Sequence, residues 1–411
     1  MKYAIIIGDG MADNPVGELG GMTPLEKASI PFIDQLCRRG KSGSVLTVPR
    51  GIAPGSDTAI LSIMGYDPVK YYSGRAPLEA AGCGVSLAAG DVAYRCNMVS
   101  LAGVGDLEDK IIVSHSGGSI DGESSMELIK YLAGNVRFKE LMDRYAVSIS
   151  PAPSFRHIAV QKDADIKGIS LIPPHDHLSE RAGEHLPSGC QNAEHLKSMM
   201  RLANELLEKH PINAERVKNG KLPANGVWFW AEGTVTELPD FKAKHGKTGF
   251  IVSAVPLVRG IGALCGLDYI EIDGATGELD TNLEGKADAA ANGLARGYDF
   301  TVIHVEAPDE CTHNGDTAGK LQAIEWLDSR CVKRFAQTLD AAGEEYRLLI
   351  LSDHKTLTST RGHDGDPVPF ILYDSRRDMG GGLGYTERNA DNGVYVGEGH
   401  TLIDMLFGDD I

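Results

Sequence analysis

The sequence is poor in aromatic residues, which make up 6% of its 411 residues. No apolar run approaches the ~18 residues of a membrane span, so no membrane-spanning helix is expected. Positive charge is also short. Lys and Arg total 40 against 57 Asp and Glu, a formal charge of -17. That balance argues against general affinity for nucleic acid or an acidic membrane surface, so an anionic ligand must be drawn by a local basic site or by cations. The cysteines Cys37, Cys83, Cys96, Cys190, Cys265, Cys311 and Cys331 are odd in number and contain no C-x-x-C pair. This usage suits a reducing compartment rather than a disulfide framework. The opening M-K-Y-A-I-I-I-G-D-G lacks the charged leader and cleavage site of a signal peptide, and a cytoplasmic location is expected. No G-x-x-x-x-G-K-[ST] loop occurs, which leaves a P-loop kinase unsupported. Internal repeats and low-complexity segments are absent too.

What is present is a βα rhythm at both ends of the chain. A short β-branched run at 3–7 reads as a strand buried on both faces of a parallel sheet, apolar runs at 300–305 and 348–351 as strands of the same sheet, and 44–48 and 368–373 continue the pattern. Helices are expected over 31–39, 284–296, 317–342 and 401–407. Between the two ends, composition shifts to Gly, Ala and Pro over 71–90. The middle then mixes strands near 91–101, 146–149, 157–161, 226–230 and 249–254 with helices near 124–132 and 191–209. The predicted fold is α/β: a doubly wound, mostly parallel sheet flanked by helices, with an inserted α+β domain. The expected boundaries are 1–88 with 270–411 for the first domain and 89–269 for the insert.

Candidate chemistry collects where strands end. Open α/β sheets place ligands at the carboxyl ends of their strands. Asp9 follows the first strand there, between Gly8 and Gly10, where it can also be read as a turn residue. Asp309 and His313 in E-A-P-D-E-C-T-H, and Asp353 and His354 in L-S-D-H, follow two others; His363 lies in R-G-H-D-G-D-P-V-P-F. Mixed His and carboxylate sets suit Zn, Mn or Fe better than Ca, and paired sets suit a two-metal clamp on a phosphoryl group. Ser56, in A-P-G-S-D-T-A-I-L-S-I-M-G at 53–65, begins a predicted helix closed by Gly65. There it is either an ordinary N-cap or a nucleophile at the positive end of a helix dipole.

Together D-G-M-A-D, P-G-S-D, G-Y-D-P, G-R-A-P-L-E-A-A-G, G-D-V-A-Y-R-C-N, H-V-E-A-P-D-E-x-x-H, S-D-H and G-H-D-G-D-P-V-P resemble the archaeal-type cofactor-independent phosphoglycerate mutases of the alkaline phosphatase superfamily. The resemblance covers nearly the whole chain. It implies an alkaline-phosphatase-like catalytic domain with two divalent metal ions (Mn, Zn, Co, Fe or Mg) and no bisphosphoglycerate cofactor. Asp9, Ser56, Asp353 and His354 would bind one ion and Asp309, His313 and His363 the other, with Ser56 as the catalytic nucleophile that becomes phosphoserine. The implied partner is a small phosphorylated hydroxy acid, with neither nucleic acid nor membrane involved; assembly into a homo-oligomer is left open.

A mutase must also grip the carboxylate and phosphate of its substrate. Arg75, Arg95, Arg156, His157 and Lys286 are the candidates, because Arg pairs bidentately with both groups. His175 and Asp176 are candidate proton carriers. Two features depart from the family pattern. The stretch V-S-H-S-G-G-S-I-D-G-E at 113–123 differs from it, and the opening of the chain resembles a bacterial branch sometimes proposed to be a homoserine kinase. Phosphoryl transfer to homoserine, a metal-dependent phosphatase and a metal-binding protein without turnover are therefore the alternatives.

Overall fold

The computed structural model describes residues 1–408. The chain folds as two compact units, residues 1–72 with 237 onward, and residues 73–236. Among the described residues no helix is long and apolar enough to cross a membrane.

The first unit is built on one eight-stranded sheet. In spatial order its strands are Val394–Val396, Lys41–Val45, Val368–Asp374, Tyr346–Leu351, Lys2–Gly8, Phe300–Val305, Gly249–Val252 and Asp268–Tyr269. All run parallel to one another except Val368–Asp374, which is antiparallel to both neighbours. Phe300–Val305 and Tyr346–Leu351 are buried at every position, which is why they read as mostly apolar runs rather than alternating ones. Helix Pro31–Arg39 starts with Pro at its first position and turns Ile33, Leu36 and Cys37 inward, the i, i+3, i+4 stripe of a helix packed on one face. Its free amides at Phe32 and Ile33 are received by the carboxylate of Asp328, at 3.4 and 2.6 Å. Asp328 lies in a single π turn, Leu327–Val332, that interrupts the helical run expected over 317–342. Arg347 and Asp374 face each other across the antiparallel pair as a buried ion pair at 2.8 Å. The Arg347 guanidinium also donates to the carbonyls of Leu406 and Gly408, tying down the last helix.

The second unit is α+β. Its longest strand, Val92–Ala102, pairs antiparallel with Ile111–Ser114, Arg156–Gln161 and Gly226–Thr234, and Val147–Ser150 extends the sheet beyond Arg156–Gln161. Helices Gly122–Gly134, Val136–Tyr145 and Gln191–Leu207 supply Leu128, Phe138, Met199 and Met200 to a core completed by Trp228 and Phe229.

The unit limits differ from the boundaries expected at 88/89 and 269/270. Residues 75–82 form a helix of the second unit rather than a crossing, with Ala76 and Ala80 packed on Ala93, Ile158 and Val160. The small residues that read as a linker let this helix lie close to the sheet: a Cβ on Gly233 would stand 2.7 Å from the Pro77 ring. Gly249–Val252, expected in the insert, pairs parallel with Phe300–Val305 in the first unit. Four apolar residues carry no mark of which sheet they join.

Arg95 of the second unit is buried against Glu79, which accepts from its Nε and Nη2 and also from Arg75 at 2.9 Å. Burial alone would raise the Glu79 carboxyl, but Arg95 and then Arg75 bring it from 4.5 to about 2. A depressed carboxyl stabilises the fold above its unfolded pKa and loses that contribution as pH falls from 4.5 towards 2. Glu79→Gln strands a buried guanidinium and should cost about 3–5 kcal/mol. Amide exchange of strand Val92–Ala102 in the full chain would read this as faster opening, with the acid sensitivity between pH 4.5 and 2 lost.

Candidate active site

Three neighbouring parallel strands, Tyr346–Leu351, Lys2–Gly8 and Phe300–Val305, end at one edge of the sheet. Asp353, Asp9 and Asp309 follow them, all buried. Gly10 turns the chain after Asp9 at φ 60°, and its amide donates to Asp353 Oδ1 at 3.1 Å. A Cβ at Gly10 would lie 2.3 Å from Thr356 Oγ1 and 2.7 Å from Asp309 Oδ1, so only glycine lets the three loops close together.

Ser56 is the first residue of helix Ser56–Ile63; the N-cap is Gly55, and no side chain caps the helix. The hydroxyl is thus not spent on capping. It lies 3.3 Å from Asp9 Oδ2 and 3.2 Å from His354 Nε2. Asp57 accepts a 2.6 Å bond from Tyr72 and so fixes the start of the helix.

The imidazoles are turned inward by what their other nitrogens touch. His313 Nδ1 donates to the Arg361 carbonyl at 2.7 Å and His363 Nδ1 to the Pro54 carbonyl at 3.4 Å, leaving both Nε2 atoms as lone-pair donors 3.0 Å apart. His354 Nδ1 contacts the Lys355 carbonyl and Thr356 Oγ1, and its Nε2 lies 3.3 Å from Asp353 Oδ2 and 3.6 Å from Asp9 Oδ1. His363 arrives on a short hairpin, Lys355–Leu357 with Gly362–Asp364, in which it faces Thr356. Thr356 Oγ1 donates to Asp309 Oδ1 at 2.6 Å. Buried Lys320 pins this hairpin to the loop after the first strand, bonding the Thr356 carbonyl at 2.7 Å and Asp13 at 3.0 Å.

The donor set fits divalent cations. Asp9 Oδ1 and Asp353 Oδ2 are buried without a hydrogen bond, and burying such oxygens is costly unless something pairs with them. The donor atoms of Asp309, His313 and His363 fall within 4.8 Å of one another, as do those of Asp9, Asp309 and His354. Burial, then the charges of Asp353 and Asp309, pushes the Asp9 carboxyl well above its usual range. Hydrogen bonds from His313 and His363 outweigh burial at Asp309 and hold it well below. The same contact raises His313 to about 9, so a cation entering there displaces a proton.

All seven residues expected to surround Ser56 and the metals, Ser56 included, are brought together. His304 joins them without having been anticipated: buried, it bonds Asp9 Oδ2 at 2.9 Å and Ser253 at 3.2 Å. A titratable residue inside the mostly apolar strand Phe300–Val305 was its signal. The five expected substrate groups are more scattered. Lys286 is buried in the first unit and donates to the His304 carbonyl at 3.0 Å. His157 is buried in the second unit, with Ser125 on Nε2 at 2.9 Å and the Ala152 amide on Nδ1 at 3.0 Å. Arg75 and Arg95 share Glu79, and Arg156 is exposed over the Phe155 ring. Around the last two gather His115 and His175, with ring centroids 5.8 Å apart, and Trp230 lies 5.1 Å from His175 and 4.7 Å from the Arg95 guanidinium. Burial lowers His175 to about 4, and His115, Arg95 and Arg156 push the same way. Asp176 opposes this at 3.6 Å.

Asp309→Ala and Asp353→Ala should each lower the number of divalent ions held by the purified chain, with the fold retained. Elemental analysis after gel filtration checks this. Full metal content in both variants would contradict the assignment.

Residues 37–213 match the family model described as 2,3-bisphosphoglycerate-independent phosphoglycerate mutase. The 2,3-bisphosphoglycerate-independent phosphoglycerate mutase of Methanosarcina acetivorans is 44% identical over 373 residues, 91% of this chain and 90% of the relative. Among solved structures, the PH0037 protein of Pyrococcus horikoshii superposes with a TM-score of 0.78 at 30% identity, covering 98% of this chain and 96% of that one. The cofactor-independent phosphoglycerate mutase of Thermoplasma acidophilum shares the fold at a TM-score of 0.60 and 24% identity, with 99% of each chain covered. With its catalytic fold, its strand-end donor set and relatives above 40% identity over nine-tenths of its length, the chain belongs to the family of 2,3-bisphosphoglycerate-independent phosphoglycerate mutases.

Proposed function

We propose that the protein interconverts 3-phosphoglycerate and 2-phosphoglycerate through a phosphoserine at Ser56, without bisphosphoglycerate. The observation that carries this reading is the uncapped Ser56 hydroxyl at a helix start, within 3.3 Å of Asp9 and 3.2 Å of His354 among carboxylate oxygens that lack partners. The names of the relatives supply the substrate. Asp9, Ser56, Asp353 and His354 would hold one divalent ion and Asp309, His313 and His363 a second. Such ions, Mn, Zn, Co, Fe or Mg, lower the pKa of a serine hydroxyl and neutralise phosphoryl charge.

The chain's own groups then account for the course of transfer. Ser56 Oγ attacks phosphorus and gives up its proton, the ester bond to glycerate breaks, and the released glycerate oxygen takes up one proton in exchange. The positive end of helix Ser56–Ile63 favours the negative phosphoryl group beside Ser56. Return transfer to the neighbouring glycerate hydroxyl reverses these steps, with Ser56 regaining its proton. Of the arginines proposed to grip the acid, Arg156 is the one left exposed, whereas Arg95 is committed to Glu79.

An enolase-coupled assay on chelator-stripped protein should show no turnover until Mn is restored, and none in Ser56→Ala at any Mn concentration. Release of inorganic phosphate without 2-phosphoglycerate would indicate a phosphatase, and ATP consumption dependent on homoserine would indicate the kinase alternative. Arg156→Ala should weaken substrate binding on the order of 10- to 100-fold, the value of a charge-assisted pair, and divert part of the phosphoryl flux to water. An unchanged KM and an unchanged ratio of transfer to hydrolysis would remove Arg156 from the binding role.

A further inference from the structure

A second group of metal-ligating side chains lies in the second unit. Strand Arg156–Gln161 and helix Gln191–Leu207 are joined by a long connection whose regular structure is limited to two 3-10 turns, Pro174–His177 and Ala182–Glu184. Ser170 and Ser188 exchange backbone bonds at 2.9 and 3.0 Å and close its base. Ser179 donates to the Ile112 carbonyl and Ala182 to the Lys110 carbonyl, both at 2.8 Å. The segment between those anchors brings together His177, Glu180 and His185. Glu180 Oε2 is 3.1 Å from His177 Nδ1 and 2.7 Å from His185 Nε2, and the three donors fall within 4.8 Å of one another. The two imidazole rings stack with centroids 3.8 Å apart.

We propose that His177, Glu180 and His185 form a binding site for one divalent transition-metal ion of the zinc class, and that the ion staples this connection. An ordinary account would have Glu180 accept a hydrogen bond from each imidazole. His185 does not fit it. Its Nε2 is buried and close to Glu180, yet makes no directed hydrogen bond, so the nitrogen and the carboxylate converge without bonding each other. Donors arranged about a tetrahedral zinc at about 2.0–2.1 Å stand roughly 3.3 Å apart; Glu180 Oε2 stands 3.1 and 2.7 Å from the two nitrogens, so an entering ion draws the carboxylate back from His185 and turns the stacked rings apart. Two imidazoles and one carboxylate select zinc-type ions over Mg or Ca. His185 is buried, whereas His177 and Glu180 are partly open to solvent, which leaves a path for the ion and a place for water. His175, which packs on Trp230 and His115, lies two residues before His177, so an ion here would steady the segment that carries it. The inference stands on side chains outside the Ser56 centre and does not depend on the reaction proposed for it.

The test uses the full chain, stripped with chelator and dialysed against buffered Zn²⁺, with zinc counted by elemental analysis. Wild type should bind one more equivalent than His177→Ala or His185→Gln, with affinity at that site falling more than about 100-fold, beyond the loss typical of an outer-shell change. Asp309→Ala should keep this equivalent while losing one at the Ser56 centre. Zinc should also slow amide exchange across residues 175–186 in wild type but not in His177→Ala, a partly exposed position whose replacement leaves the fold intact. Equal zinc content in wild type and both histidine variants, with no zinc-dependent slowing, would overturn the proposal.

Discussion

Three carboxylates buried at the ends of three adjacent parallel strands are the constraint on which the first unit depends. Neighbouring strands lie about 4.8 Å apart, so Asp353, Asp9 and Asp309 cannot avoid one another's charge once their strands pair. Asp9 registers the strain directly, its carboxyl driven well above the ordinary range by burial and by the other two. The surrounding residues are arranged to make that concentration of charge useful rather than to disperse it. Carbonyls of Arg361 and Pro54 aim the His313 and His363 lone pairs inward, Thr356 and Gly10 hold carboxylate oxygens in place, and Lys320 anchors the loops from behind. A site built this way keeps the Asp309 carboxyl well below its usual range and leaves buried carboxylate oxygens of Asp9 and Asp353 without a hydrogen-bond partner.

Much of this was legible in the sequence because the signals were local. Strand Phe300–Val305 and helix Pro31–Arg39 fall where a mostly apolar run and a Pro-to-Gly helix predict them. Asp9, Asp309 and Asp353 were readable as site residues from their place after such runs. His363 was found by residue type and resemblance, since the hairpin that delivers it is too short to read. Ser56 was expected at or near an N-cap; that Gly55 takes that place, leaving the hydroxyl to face Asp9 and His354, depends on backbone angles no composition reveals.

What the sequence concealed was the partner of each group. Arg95 and Arg75 were read as arms for substrate, but Glu79, sixteen residues before Arg95 in the chain, occupies both and anchors them to helix Arg75–Gly82. His157 and Lys286 carry the right chemistry, yet their polar atoms are engaged inside the fold with Ser125, Ala152 and the His304 carbonyl. His115 and Trp230 entered the cationic cluster only through strand pairing that brings distant segments side by side. The unit boundaries went astray for a related reason: small residues mark a linker and a closely packed helix equally well.

The central claim is that the phosphoryl group passes through Ser56. Rapid quenching of Mn-loaded protein with labelled 3-phosphoglycerate, followed by peptide mass spectrometry, tests it most directly. The account predicts phosphate on Ser56 alone, formed and discharged at rates no slower than turnover and chased into both phosphoglycerates. Normal turnover with no phosphate on Ser56, or with phosphate on another residue, would contradict it.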